Sequence, residues 1–162
     1  MRGSAVLNVD IRFCEASDLP ELLELNALSP YPWSESVIRA DFSEALRPLS
    51  YLGAFSFLDD RLLGYAVLGT EAKEALLMNL NVQSDFRRRG VGLQLVAAVA
   101  ECATALGFSN LALRVRESNM PALALYCLLG FRRTGTALHY YSNGESALLL
   151  SAELPLEIPS LE

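Results

Sequence analysis

The chain has 162 residues, 52% of them hydrophobic and 20% charged, which is the composition of a folded globular protein and a length that usually fills one domain. Its net charge of −6 argues against general nucleic-acid binding, and three cysteines without a Cys-x-x-Cys suggest neither a disulfide framework nor a zinc site, so no metal is expected. Charge is nonetheless segregated: residues 87–133 hold seven arginines against Glu101 and Glu117, while the remainder is strongly acidic. Residues 1–10 lack the sustained apolar core of a secretory leader, and the most apolar segment, 91–106, is interrupted by Gln94, Glu101 and Thr104. No membrane partner is expected, the location is expected to be cytoplasmic, and Cys14, Cys102 and Cys127 read as buried thiols of a reducing compartment.

The alternation of Leu7, Val9, Ile11 and Phe13 predicts a first strand over residues 7–14 with one buried face. Ser17 or Asp18 then caps a helix that carries Leu19, Leu22, Leu23, Asn26 and Ala27 on one side, with Pro20 and Glu21 in its first turn. Ser29-Pro30-Tyr31-Pro32-Trp33 is a loop, because two prolines remove donors and fix the backbone. Ser34 caps a second helix running to about Leu46, before Pro48, with Val37, Ile38, Phe42 and Ala45 as its apolar positions. Residues 51–58 and 62–68 make a hairpin around Asp59-Asp60-Arg61, and the apolar run 75–82 adds a third antiparallel strand. A helix over 91–106 closes at Gly107. Leu111, Leu113 and Val115 alternate with Ala112, Arg114 and Arg116, which predicts a half-buried strand with two arginines on its polar side. Asn119 caps the next helix, Pro121 fits its first turn and Gly130 ends it. Residues 131–141 and 146–150 form a last hairpin around Ser142-Asn143-Gly144. The order β-α-α-β-β-β-α-β-α-β-β predicts one α/β domain with a mixed sheet over residues 1–154, followed by a loosely held tail, 155–162.

The chemistry concentrates at Phe86-Arg87-Arg88-Arg89-Gly90-Val91-Gly92, a turn between a predicted strand and a predicted helix. A helix N-terminus presents unpaired backbone N–H groups and about half a positive charge, and glycines let a ligand come close. The pattern lacks the Gly-Lys-Ser/Thr of a P-loop and the spacing of a dinucleotide fingerprint. On its own it reads equally as an anion cradle or as a solvated basic turn.

With Asn119 and Tyr126 downstream and Leu129-Gly130-Phe131 after them, residues 76–131 resemble the GNAT superfamily of acetyl-CoA-dependent N-acetyltransferases. The resemblance implies a single-domain GNAT fold, a mixed and mostly antiparallel sheet flanked by helices. It implies that Arg87, Arg88, Arg89, Gly90, Val91 and Gly92 hold the pyrophosphate of acetyl-CoA, the expected co-substrate. Leu80, Asn81 and Val82 would pair with its pantetheine arm, and the Val82 amide would serve as an oxyanion donor. Asn119 would contact the cofactor as well as cap its helix, and Tyr126 would assist the departing thiolate. Tyr31-Pro32-Trp33-Ser34-Glu35, Arg116-Glu117-Ser118-Asn119, Ala124-Leu125-Tyr126 and Tyr140-Tyr141 resemble, more narrowly, the ribosomal-protein-alanine N-acetyltransferases. That implies a protein N-terminus as acceptor, with Tyr31, Tyr140 and Tyr141 gripping it and Trp33 serving rather as a core anchor. A small amine is the alternative acceptor, and the pattern is compatible with a monomer or a homodimer.

One position departs from those relatives. Where they carry a glutamate proposed as general base, this chain has Arg114, which cannot accept a proton at neutral pH. Arg114 is expected to face an acidic group on the substrate or a phosphate of the coenzyme. Glu74, Glu117 and His139 are substitute bases by residue type only. The departure also keeps open a coenzyme A-binding regulatory domain without catalysis. Cys127, about 100° around the helix from Tyr126, reads as packing rather than as an acyl carrier.

Overall fold

The computed structural model describes residues 6–43 and 49–158. Seven strands form one sheet in the order β1-β2-β3-β4-β5-β7-β6, with β1 Asp10–Phe13, β2 Ser50–Phe55, β3 Leu62–Glu71, β4 Glu74–Val82, β5 Asn110–Arg116, β6 Arg132–Ala137 and β7 Ala147–Glu153. Four α-helices complete it: α1 Leu19–Ala27, α2 Glu35–Ser43, α3 Val91–Ala105 and α4 Met120–Leu128. The element order is the one the sequence predicts, and β2, β3 and β4 are antiparallel neighbours as expected.

Two cores lie on opposite faces of the sheet. The larger packs Leu93, Leu95, Val96 and Val99 of α3 against Ala66, Leu77, Leu111 and Leu113, with Tyr126, Leu129 and Phe131 beside them. The smaller packs Leu22, Leu25, Ile38 and Phe42 against Tyr51, Tyr65 and Val67. Burying Leu- and Phe-sized side chains stabilises by roughly 1.5–3 kcal/mol each, so the alternating strands have a strong reason to keep this register.

The join between the halves of the sheet is short. β4 and β5 are parallel, and they pair only through Ala75, Leu76 and Leu77 with Leu111, Ala112 and Leu113. A register shift lies where Val67 pairs with Asn79 and Leu68 with Leu77, leaving Met78 as the extra residue. A bulge bends its strand and increases its twist. From Met78 onward β4 leaves β5, which stays paired to β7 along its whole length from Asn110 to Arg116. The result is a wedge-shaped opening in the middle of the sheet.

Several local expectations change. Residues 7–9 do not join the sheet. Leu7 N–H donates to the Arg89 carbonyl, and the Gln94 side chain bonds Val9 N–H and the Leu7 carbonyl, so this segment straps the start of α3. The predicted inward face of β1 breaks at its end: Phe13 is exposed and Cys14 buried. On α1, Leu25 is buried and Ala27 exposed, because the helix faces Asn81 and Tyr65 rather than the stripe counted from Leu19. Asp18 caps no helix with its side chain; its carboxylate accepts from Glu15 N–H instead. The end of α2 predicted at Leu46 and Pro48, with Ala45, lies outside the described residues. β6 stops at Ala137, not at Tyr141, since His139 takes a left-handed backbone angle (φ 52°) that no strand continues through. The tail is not wholly loose: Leu154 N–H bonds the Ser109 carbonyl, and Leu154 and Leu156 pack on the larger core. Of the three thiols only Cys14 is buried; Cys102 is half-buried and Cys127 exposed, which corrects the reading of Cys127 as packing.

Candidate active site

The turn before α3 has the features expected of an anion cradle. Gly90 is the N-cap, in the left-handed region at φ 82°, and it offers no side chain to cap the helix. The first intrahelical bond runs from Gln94 N–H to the Gly90 carbonyl, so the N–H groups of Val91, Gly92 and Leu93 have no partner within α3. Arg87 and Arg88 are exposed and Arg89 half-buried. The Arg87 side chain donates from Nε to the Val82 carbonyl at 3.1 Å, which ties the turn to the end of β4.

That bond also shows which way β4 faces. Gln83 N–H donates to the Leu63 carbonyl, and Tyr65 stands opposite Asn81. By strand alternation the polar groups of Asn81 point to β3, while those of Leu80 and Val82 point to the opened edge. Of the three strand residues expected along the cofactor, Asn81 is the one turned away from the opened edge. Its side chain is buried on the α1 face and donates to the Leu25 carbonyl at 3.2 Å, leaving the edge to Leu80 and Val82. Nearby, the buried Tyr65 hydroxyl has no partner within full hydrogen-bond geometry among the described residues, the side-chain amides of Asn81 and Asn79 lying close by. Burial raises its pKa, opposed by the amides of Asn81 and then Asn79.

Across the wedge stands α4. Asn119 caps it, Oδ1 accepting from Ala122 N–H at 3.3 Å, and Pro121 occupies its first turn. Replacing Asn119 with alanine is expected to cost about 1 kcal/mol, or roughly 2–4 °C in the melting temperature of the ligand-free protein. An unchanged melting temperature would show that this cap contributes nothing. Tyr126, about two turns beyond Asn119, is buried (6% exposed) and packs edge-on against Phe131 at 5.5 Å between ring centres. Burial pushes its hydroxyl above the ordinary tyrosine range, and the nearby Tyr141 hydroxyl adds to this, so Tyr126 stays protonated at any physiological pH.

The opposite face of the opening carries a cleft of about 270 Å³, lined by Trp33, Leu76, Leu77, Met78, Leu113, Arg114, Tyr140 and Tyr141. Among the described residues, no carboxylate or imidazole lines it. The substitute bases are elsewhere. Glu74 sits opposite Glu71 at the far end of β4, Glu117 is exposed, and His139 is exposed with Nδ1 3.1 Å from the Gly144 carbonyl.

The loops that shape this cleft are held by polar bonds. The buried Asn26 side chain accepts from Trp33 N–H and donates to the Trp33 carbonyl, each at 2.9 Å, which fixes the loop carrying Tyr31 and Trp33. Trp33 is both the expected anchor, packed on the smaller core, and a wall of the cleft. Tyr31 and Tyr141 meet across the opening on the guanidinium of Arg116, which lies 3.5 Å from one ring centre and 3.9 Å from the other. Arg116 also pairs with Glu145 at 3.1 Å, with 13% and 14% of their side chains exposed, and Glu145 accepts from Ser118 N–H at 2.9 Å. Hydrogen bonds from Ser118, and then from Arg116, hold the Glu145 carboxyl below its usual range, so it stays ionised and is a poor base. Tyr141 is raised by burial, against the opposing charge of Arg116. Sequence reasoning missed Arg116 and Glu145 as the pair that ties together the loops around this cleft. The signal available was a second arginine on the polar side of β5 and an acid just after Asn143-Gly144.

This geometry can now be set beside known proteins. Residues 19–131 match the Acetyltransferase (GNAT) family. The chain belongs to the GNAT family. It is an acetyl-CoA-dependent N-acetyltransferase. The [ribosomal protein bS18]-alanine N-acetyltransferase of Salmonella typhimurium is 31% identical over 152 residues, covering 91% of this chain and 98% of that protein. An N-alpha-acetyltransferase of Sulfurisphaera tokodaii is 28% identical over 160 residues, covering 89% and 92%. Among solved structures, the ribosomal-protein-S18-alanine N-acetyltransferase from Escherichia coli superposes with a TM-score of 0.78 at 27% identity, covering 90% of this chain and 94% of that one. The residues present fit the GNAT co-substrate: uncapped N–H donors for a pyrophosphate at α3, and a free strand edge for an amide-bearing arm on β4. Among the described residues, no group of three or more His, Cys, Asp or Glu could hold a metal, and no helix is long and apolar enough to cross a membrane.

Proposed function

We propose that the acceptor is the N-terminal α-amine of a protein. When bound, acetyl-CoA supplies the activated acetyl thioester. In this reading Val91, Gly92 and Leu93 hold its pyrophosphate through their N–H groups, with Arg87, Arg88 and Arg89 adding positive charge, and Asn119 contacts it from the start of α4. Leu80 and Val82 align its arm along the open edge of β4. Val82 N–H donates to the thioester oxygen as negative charge develops there, and the Tyr126 hydroxyl donates to the sulfur as the carbon–sulfur bond breaks. Tyr31, Tyr140 and Tyr141 grip the acceptor backbone.

The observation that carries this reading is a cleft lined, among the described residues, by no carboxylate or imidazole. At pH 7, deprotonating an α-amine costs only about 1 kcal/mol, whereas a lysine side chain costs about 4.6 kcal/mol. A site without a base is therefore suited to an α-amine and poorly suited to lysine. The 31% identity to a bS18-alanine N-acetyltransferase supports the same acceptor class.

The test is thiol release from acetyl-CoA with free N-terminal peptides, with the same peptides N-blocked and carrying an internal lysine, and with small amines. We expect turnover with the free peptides, and at least about a hundredfold less with the blocked lysine peptides. Turnover confined to small amines would overturn the reading.

A further inference from the structure

Two arginines sit two residues apart on the same face of β5, and their situations differ. Arg116 is held by Nη1, which donates to Asn143 and Glu145, and is sandwiched between Tyr31 and Tyr141. Arg114 lines the acceptor cleft with Leu76, Met78 and Tyr140, and among the described residues its guanidinium makes no hydrogen bond. Its ion-pair partner is Glu71, at 3.9 Å and with 65% of that side chain exposed, which is too long for a hydrogen bond and too exposed to hold the group firmly. The Tyr140 ring lies 5.7 Å from the guanidinium and gives it one apolar wall. A guanidinium with an open fork of donors, backed by an aromatic ring and met only by one loosely held, exposed carboxylate, is a receptor for a planar anion.

We infer that Arg114 is a specificity-determining residue that binds a side-chain carboxylate within the first three residues of the acceptor. This rests on the acceptor being a protein N-terminus. Three residues is the reach allowed, since an extended tripeptide spans about 10 Å. The carboxylate displaces the loose Glu71 contact and forms paired charge-assisted hydrogen bonds to the guanidinium. The coenzyme's phosphates are the competing anion, but Arg114 opens on the Trp33 face of the sheet, and the uncapped donors of α3 serve the other.

The experiment compares kcat/KM for peptides differing only as Asp against Asn, or Glu against Gln, at each of the first three positions. In the unmodified protein an acidic residue in at least one position is expected to raise kcat/KM by about tenfold or more. In Arg114→Gln that preference falls to about twofold or less, with the KM for acetyl-CoA and the melting temperature unchanged. Arg114→Glu favours lysine at the same position. Turnover without any acid preference in the unmodified protein overturns this inference alone. A preference retained in Arg114→Gln, or an effect of that variant on acetyl-CoA KM instead, overturns it too. If no N-terminal peptide is acetylated, the acceptor reading falls and takes this inference with it.

Discussion

Tyr126→Phe is expected to lower kcat by tenfold or more while leaving the KM for acetyl-CoA within about threefold, a barrier increase of about 1.4 kcal/mol or above. The ring of Tyr126 fills the larger core against Phe131, and phenylalanine preserves that packing, so the change isolates the hydroxyl. In the proposed mechanism the hydroxyl acts as a hydrogen-bond donor rather than as an acid that loses its proton. A tyrosine near pKa ~10 is already a poorer acid than a thiol near ~8.5, and burial moves Tyr126 further up. The pH profile carries the sign of that shift. A raised pKa keeps the protonated, functional form present through pH 10, so the alkaline limb expected of an ordinary tyrosine is displaced upward. kcat/KM therefore rises as the acceptor amine deprotonates near pH ~7.8, and then stays flat to at least pH ~10. An unchanged kcat in Tyr126→Phe would remove the hydroxyl from the mechanism.

Gly90→Val is expected to weaken acetyl-CoA binding by tenfold or more, measured by titration calorimetry on the protein alone. Gly90 caps α3 at φ 82°, where a β-branched residue is an outlier costing about 1–3 kcal/mol. Relief of that strain moves the turn and with it the N–H groups of Val91, Gly92 and Leu93. Gly92 is the informative control, because its own backbone carries no such angle. A methyl group there meets Leu125 at 3.5 Å, Val82 at 3.8 Å and Leu80 at 3.9 Å, all ordinary contacts. Gly92→Ala is thus expected to bind within about threefold of the unmodified protein, while Gly92→Leu, driven into those three side chains, loses binding. Normal affinity in a folded Gly90→Val would show that the turn is not the anion site.

The two positions mark a boundary in what sequence reading reaches. Both glycines belong to the same motif, and nothing in the motif distinguishes a glycine needed for its backbone angle from one needed for space. Arg116 shows the same limit. As one of two arginines on the polar side of a strand it looked like a solvated residue, because its partners Tyr31, Tyr141 and Glu145 are 25 or more residues away in sequence. Asn81 shows the limit from the other direction: its neighbours in sequence border the open edge, and strand alternation turns its side chain to α1.

By itself the sequence determined the order of eleven elements, the family, the strand-to-helix turn with its N-terminal donors, and the capping of α4 by Asn119. These are local: hydrophobic periodicity, left-handed glycines and cap residues act within a dozen positions. Tertiary structure alone decided that β4 parts from β5 after Leu77 and Leu113, that no described carboxylate or imidazole lines the cleft at Arg114, and that Arg116 is hydrogen-bonded and ion-paired while Arg114 meets only a loose, exposed Glu71. Those outcomes depend on one bulge at Met78 and on which loops meet over β5, and such long-range registers are set by packing rather than by any short stretch of chain.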